Sequence, residues 1–128
     1  MAYVTDTHPF LWYLAEDKRL SKKAEAVFDK ADNGEDIVAI PIIVLAEALR
    51  VLEKERLSIK FKDIIHRIEN GSNYTLIPLD LAIIKRIEEL KKLELHDKII
   101  VASANFINAK LITKDKSIIE SGYVDVVW

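Results

Sequence analysis

The chain has 128 residues, 50% of them hydrophobic and 31% charged, with a net charge of -2. That suits one soluble domain, residues 1–128, with a full core, and argues against a generally basic nucleic-acid coat. No cysteine is present, which excludes disulfides, thiolate metal sites and cysteine nucleophiles.

The elements alternate along the chain. Ala2 to Thr5 is expected to be a short buried strand, and a helix follows through His8-Pro9-Phe10-Leu11-Trp12-Tyr13-Leu14, with Pro9 tolerated in its first turn. Ser21 is placed to cap a second helix whose apolar face carries Ala24, Val27, Phe28 and Ala31, and Asn33-Gly34 ends it. Ile37 to Ile40 reads as a strand, Pro41 as the start of a long helix to about Lys54. Ser58 is the expected cap of the next helix, with Ile64, Ile65 and Ile68 inward and Asn70-Gly71 as its stop. Tyr74 to Ile77 is a third strand, closed by Pro78. Asp80 then caps a helix carrying Ile83, Ile84, Ile87 and Leu90. A further helix is expected from about Asp97 to Asn108, then a strand over Leu111 to Thr113, a short helix over Lys116 to Glu120 and a last strand over Val124 to Val127. Strands separated by helices imply a mainly parallel central sheet with helices on both faces. No apolar run is long enough to span a bilayer, and no secretory signal is expected, which fits a cytoplasmic protein.

Four carboxylates, Asp6, Glu47, Asp97 and Asp115, sit at the edges of apolar runs. Parallel sheets bind ligands at the carboxyl ends of their strands. Asp6 and Asp115 follow strands, and Glu47 and Asp97 fall near helix starts, so all four can face one edge. Converging carboxylates are the ligand set of Mg²⁺ or Mn²⁺. The plain alternative for Asp6, Asp97 and Asp115 is helix N-capping. Glu47 lies among Val44, Leu45, Ala48, Val51 and Leu52, where it needs a partner, and Arg50 one turn on is the plain candidate. Thr7 and Thr113 are candidates to orient ligands. Lys98, Lys114 and Lys116 flank the acids and are candidate phosphate contacts, with a solvated charge as the alternative. Phe10, Trp12 and Tyr13 have the spacing of a packed helix face before that of a base-stacking surface.

The chain resembles the PIN-domain ribonucleases, in particular the VapC-type toxins of toxin–antitoxin pairs. The resemblance rests on Val4-Thr5-Asp6-Thr7-His8-Pro9-Phe10-Leu11-Trp12, on Arg19-Leu20-Ser21, and on Ile40-Pro41 through Ala46-Glu47-Ala48. It continues in Leu95-His96-Asp97-Lys98-Ile99-Ile100-Val101-Ala102-Ser103-Ala104, Leu111-Ile112-Thr113-Lys114-Asp115 and the ending Val126-Val127-Trp128. One departure is Glu94-Leu95-His96-Asp97, where relatives often carry Asp-Pro-x-Asp; Glu94 takes the earlier acidic position. The resemblance implies a PIN-like three-layer α/β/α sandwich. It also implies divalent-metal hydrolysis of RNA that leaves a 5′-phosphate and a 3′-hydroxyl, a VapB-like antitoxin whose C-terminal segment blocks the acids, and a homodimer. Asp6 and Asp97 would be direct metal ligands, with Glu47 and Asp115 completing the site directly or through water and Glu94 in a supporting position. The same chemistry would serve a PIN nuclease of RNA maturation. From another class, a phosphoacceptor signalling module shares the length and the acidic site. It expects paired acids after the first strand and a Lys ending the fifth, where this chain has Asp6-Thr7-His8 and Trp128.

Overall fold

The structure, a computed structural model, describes residues 1–128. Five strands form one sheet in the order β3-β2-β1-β4-β5. They are β1 (Ala2–Thr5), β2 (Ile37–Pro41), β3 (Tyr74–Ile77), β4 (Lys110–Ile112) and β5 (Val126–Val127), and every pairing is parallel. The helices between them are α1 (Thr7–Leu14), α2 (Lys22–Asp32), α3 (Ile42–Lys54), α4 (Phe61–Asn70), α5 (Leu81–Ile87), α6 (Leu95–Phe106) and α7 (Lys116–Ser121). The chain runs from β1 outward to β3, then returns past β1 to β4 and β5. With right-handed crossovers, α1 to α4 cover one face and α5 to α7 the other. The result is the expected three-layer α/β/α sandwich. The direction of winding reverses between β1 and β4, and the carboxyl end of that pair is the natural ligand position in such a sheet.

The interior is continuous. Phe10 and Leu11 from α1, Phe28 from α2, Val38 and Ile40 from β2, Ile100 from α6 and Leu111 and Ile112 from β4 have no solvent exposure. α6 is buried along most of its length because it crosses β1, β2 and β4. Asp32, at the end of α2, accepts hydrogen bonds from the Tyr13 and Tyr74 hydroxyls and from Arg67, tying α2 to α1, β3 and α4. Both tyrosine hydroxyls are pushed well above their usual pKa, first by burial and then by that carboxylate.

Local capping chemistry sets several boundaries as the sequence implied. Ser21 Oγ accepts from the Ala24 amide at 3.1 Å, and Gly71 follows the last residue of α4. Asp80 Oδ1 accepts from the Ile83 amide at 3.2 Å. Asp80→Ala is therefore expected to cost about 1 kcal/mol, read as a lower urea midpoint with an unchanged m-value.

Other boundaries differ from expectation. Ser58 does not open α4. Lys60 is its N-cap, because Asp63 reaches back to the Lys60 amide at 3.3 Å and Phe61 packs against the core. α5 stops at Ile87 and Leu90 is buried beyond it in a tight turn, its amide donating to Ile87 O at 3.1 Å. Ile84 lies on the flank of the helix and is 41% exposed. α6 starts at Leu95 and ends at Phe106, about two residues earlier than expected. β4 begins at Lys110, paired with Tyr3, and β5 shrinks to the two residues that β4 can pair.

Candidate active site at the carboxyl edge of the sheet

Asp6 is the first residue after β1 and the N-cap of α1; its Oδ1 accepts from the Thr7 amide at 2.7 Å. Its own amide donates to Ile112 O at 3.0 Å, which fixes it against the end of β4. Thr113, with no solvent exposure, follows β4, and its hydroxyl donates to Asp6 Oδ2 at 2.7 Å. The same hydroxyl accepts from the Asp115 amide at 3.0 Å. Asp115 in turn caps α7, its Oδ1 accepting from the Ile118 amide at 3.1 Å. One buried hydroxyl thus links the two carboxylate loops across the point where the winding reverses. For Asp6 and Asp115 capping and a site role coexist, since each carboxylate has a second oxygen and lone pairs to spare.

Asp97 is different. It is not an N-cap; Glu94 holds that position and makes no side-chain capping bond. Asp97 lies in the first turn of α6, half-buried, with no hydrogen bond holding its charge. Burial pushes its carboxyl up to about 6, and the charges of Asp115 and Asp6 add to the rise, with a smaller contribution from Glu94. His96 acts in the opposite sense. Three of the four acids therefore feel one another, and Glu94 stands at their margin.

Glu47 occupies the next position out. Its carboxylate is held by the Arg50 guanidinium, through Nη2 on Oε1 and Nε on Oε2. The His96 Nδ1 lies 4.0 Å from its Oε2. Arg50 chiefly, then His96 and His8, keep the Glu47 carboxyl below the usual range. The ion pair with Arg50 is present, and His96 stands between Glu47 and Asp97. His8 pairs with Glu55 at 2.9 Å. His66 is exposed and accepts a hydrogen bond from Asn70.

Beside the acids is a cleft of about 370 Å³ lined by Asp6, His8, Trp12, Arg19, Lys114 and Asp115. Trp12 is 4% exposed, with the Arg19 guanidinium 4.9 Å and the Lys114 ammonium 5.1 Å from its ring centre. Trp12 is in the core as the helical spacing implied; the fold also sets its ring under Arg19, which the sequence did not single out, at the edge of this cleft. Lys116 pairs with Glu120 at 3.8 Å and points along its own helix, and Lys98 is half-buried on α6. Thr7 Oγ1 and Trp12 Nε1 are buried without a hydrogen-bond partner. A cleft of similar size, about 390 Å³, lies at the opposite end of the sheet around Met1, Asn105 and Asn108, away from the clustered acids.

The donors suit a hard divalent cation: carboxylate oxygens, no thiolate, and like-charge crowding at Asp97 that a cation would relieve. No three of the acidic or imidazole side chains stand near enough together to ligate one ion in the present arrangement. Coulombic coupling reaches further than ligation does, and Glu47 and Asp115 are at present held by Arg50 and by the Ile118 amide.

The sequence matches the PIN domain family over residues 3–121. The chain belongs to the PIN domain family. No curated protein matches it by sequence. Solved structures share the PIN fold closely. The VapBC2 complex of Rickettsia felis bound to a promoter DNA fragment has a TM-score of 0.68 at 18% identity, covering 98% of this chain and 97% of that one. VapBC-1 of nontypeable Haemophilus influenzae gives 0.67 at 22% identity, covering 98% and 96%. FitAcB of Neisseria gonorrhoeae gives 0.66 at 19%, covering 97% and 95%. At these identities the likeness bears on the PIN fold alone. No helix of this PIN domain is long and apolar enough to cross a membrane.

Proposed function

We propose that this PIN domain, residues 1–128, is a toxin-type endoribonuclease that hydrolyses RNA phosphodiester bonds with Mg²⁺ or Mn²⁺ and is inhibited by a VapB-like antitoxin. The observation that carries this reading is Asp97, whose half-buried carboxyl has no structural partner and is raised first by burial and then by the charges of Asp115 and Asp6. A strongly perturbed acid coupled to acids that line a cleft at a sheet's carboxyl edge marks the kind of place where catalysis concentrates. Asp6 and Asp97 would be direct ligands, with Glu47 and Asp115 completing the set directly or through water. The chemistry an ion would supply there is polarisation of the scissile phosphate and acidification of the attacking water.

The chain's own residues have separate tasks. Thr113 and the Thr7 amide hold the Asp6 carboxylate in one orientation. His96 lies between Glu47 and Asp97 and moderates the charge on both. Lys114 would contact the substrate phosphate at the rim, with Lys98 and Lys116 as outer charges and Glu94 as a marginal acid. Support for an antitoxin partner is the family together with the toxin–antitoxin complexes among solved structures of this fold; a homodimer is what the family resemblance implies.

The direct test uses purified protein, structured and single-stranded RNA, and added Mg²⁺ or Mn²⁺. Cleavage that stops with a chelator and with Asp6→Asn is expected. Either ion should also raise the melting temperature, because it binds only where folding gathers the carboxylates. Intact cleavage in both Asp6→Asn and Asp97→Asn would sink the reading.

A further inference from the structure

Helices α1 to α4 serve β1, β2 and β3, so the same face of β4 and β5 is left open beside α2. A cleft of about 360 Å³ lies there, with Lys23 and Lys30 from α2, Lys110 from β4, Tyr3 from β1 and Val126 and Val127 from β5 on its walls. Lys23 and Lys30 are seven residues apart, two helical turns on one face, so their stems rise roughly 10 Å from each other along the axis. All three lysines are exposed. None takes part in an ion pair, and no carboxylate lines the cleft.

From this cleft β5 leads on toward the acidic end. Val127 lines it, and the next residue, Trp128, packs on Trp12 with ring centres 6.1 Å apart. Trp12 lies on the wall of the cleft at Asp6 and Asp115, and carries Lys114 over its ring. Arg19 beside it is already engaged by Asp17 through two side-chain hydrogen bonds, so Lys114 is the free charge at this end. Lys114, Lys23, Lys30 and Lys110, with the partly exposed rings of Trp128 and Tyr3, thus mark a path from the acidic end along β5 and α2, Trp12 itself being buried. That combination fits single-stranded nucleic acid, in which phosphates meet lysines and bases meet rings. It suits an acidic peptide less well, which has no use for the aromatic steps.

We infer that the strip from Lys114 over Trp128 to Lys23, Lys30 and Lys110 is a track for the single-stranded RNA flanking the cleaved bond. This rests on the nuclease reading above. The track supplies affinity for length and takes no part in bond breaking.

The test is the triple variant Lys23→Gln/Lys30→Gln/Lys110→Gln. Binding of a fluorescent oligouridylate is titrated in chelator at several salt concentrations. Each lost phosphate contact on a single strand lowers the log–log salt slope by about 0.7, so the triple should lower it by about 2. KM for long single-stranded RNA should rise at least about tenfold with kcat unchanged, as loss of uniform binding requires. Cleavage of an oligonucleotide too short to leave the acidic cleft should be unchanged. A remote triple of equal charge change, Lys62→Gln/Lys85→Gln/Lys91→Gln, separates local contact from bulk charge. An unchanged slope and KM in the first triple, or an equal effect in the remote one, overturns the track while leaving the nuclease reading standing. Wild-type protein that neither binds nor cleaves RNA overturns both.

Discussion

Asp97→Asn is expected to lower metal-dependent RNA cleavage by about a hundredfold to a thousandfold, the scale of removing a principal electrostatic group, and to stabilise the metal-free protein. The two effects have one cause. Burial and the charges of Asp115 and Asp6 lift the Asp97 carboxyl from its ordinary 3.8 to about 6. In the window between those values the folded protein holds a proton that the unfolded chain has released. Stability of the metal-free fold therefore falls as pH rises through that window, and the full cost is present above it. The carboxylate still meets solvent, so the shift is discounted, and the relief on substitution is about 1 kcal/mol at neutral pH. For a chain of this size that is a rise of roughly 3–6 °C in melting temperature. Mg²⁺ should raise the melting temperature of wild-type protein at pH 7 and do so less at pH 5, where Asp97 is largely protonated. In Asp97→Asn the gain from Mg²⁺ should be much reduced. Calorimetry at the two pH values, with and without Mg²⁺, reads the stability effects, and an RNA-cleavage assay reads the loss of activity. A variant less stable than wild type in the metal-free state would contradict the assignment of Asp97 as a crowded, unpartnered acid.

Thr113→Val should have the second largest effect, although valine nearly matches threonine in shape. The Thr113 hydroxyl is fully buried, donates to Asp6 and accepts from the Asp115 amide. Valine leaves both partners short of a bond, at a cost of about 1–3 kcal/mol. It also frees the Asp6 carboxylate to turn. Loss of a group that orients a ligand typically costs 10–100-fold in activity or metal affinity. Thr113→Ser, which keeps the hydroxyl, should recover most of the activity even if lost methyl packing keeps it less stable. Equal activity of the valine and serine variants would show that the hydroxyl only holds the loop together.

Much of the fold was legible because it depends on neighbours in sequence. Ser21, Asp80 and Asp115 cap helices through amides three residues ahead, and an N-cap signal needs nothing further away. β1 and β3 stand at their expected residues because short β-rich runs are closed by Asp6 and Pro78. Ser58 misled because two local caps competed, and Asp63, with a core contact through Phe61, prevailed. β5 shrank because only two residues of β4, Leu111 and Ile112, pair with it.

The candidate site divides in the same way. The sequence by itself determined the parallel α/β class and the position of each candidate acid at the edge of an element, since composition and periodicity carry those. Tertiary structure alone decided what each acid does next. Register against β4 brings Thr113 to Asp6 across more than a hundred residues. Reversal of winding beside β1 puts the Asp115 and Asp97 charges together, and the early start of α6 turns Asp97 from a possible cap into an unpartnered carboxyl. Capping is a short-range bond within one loop, whereas crowding of charges is a through-space effect that exists only once crossovers and register have set the distances.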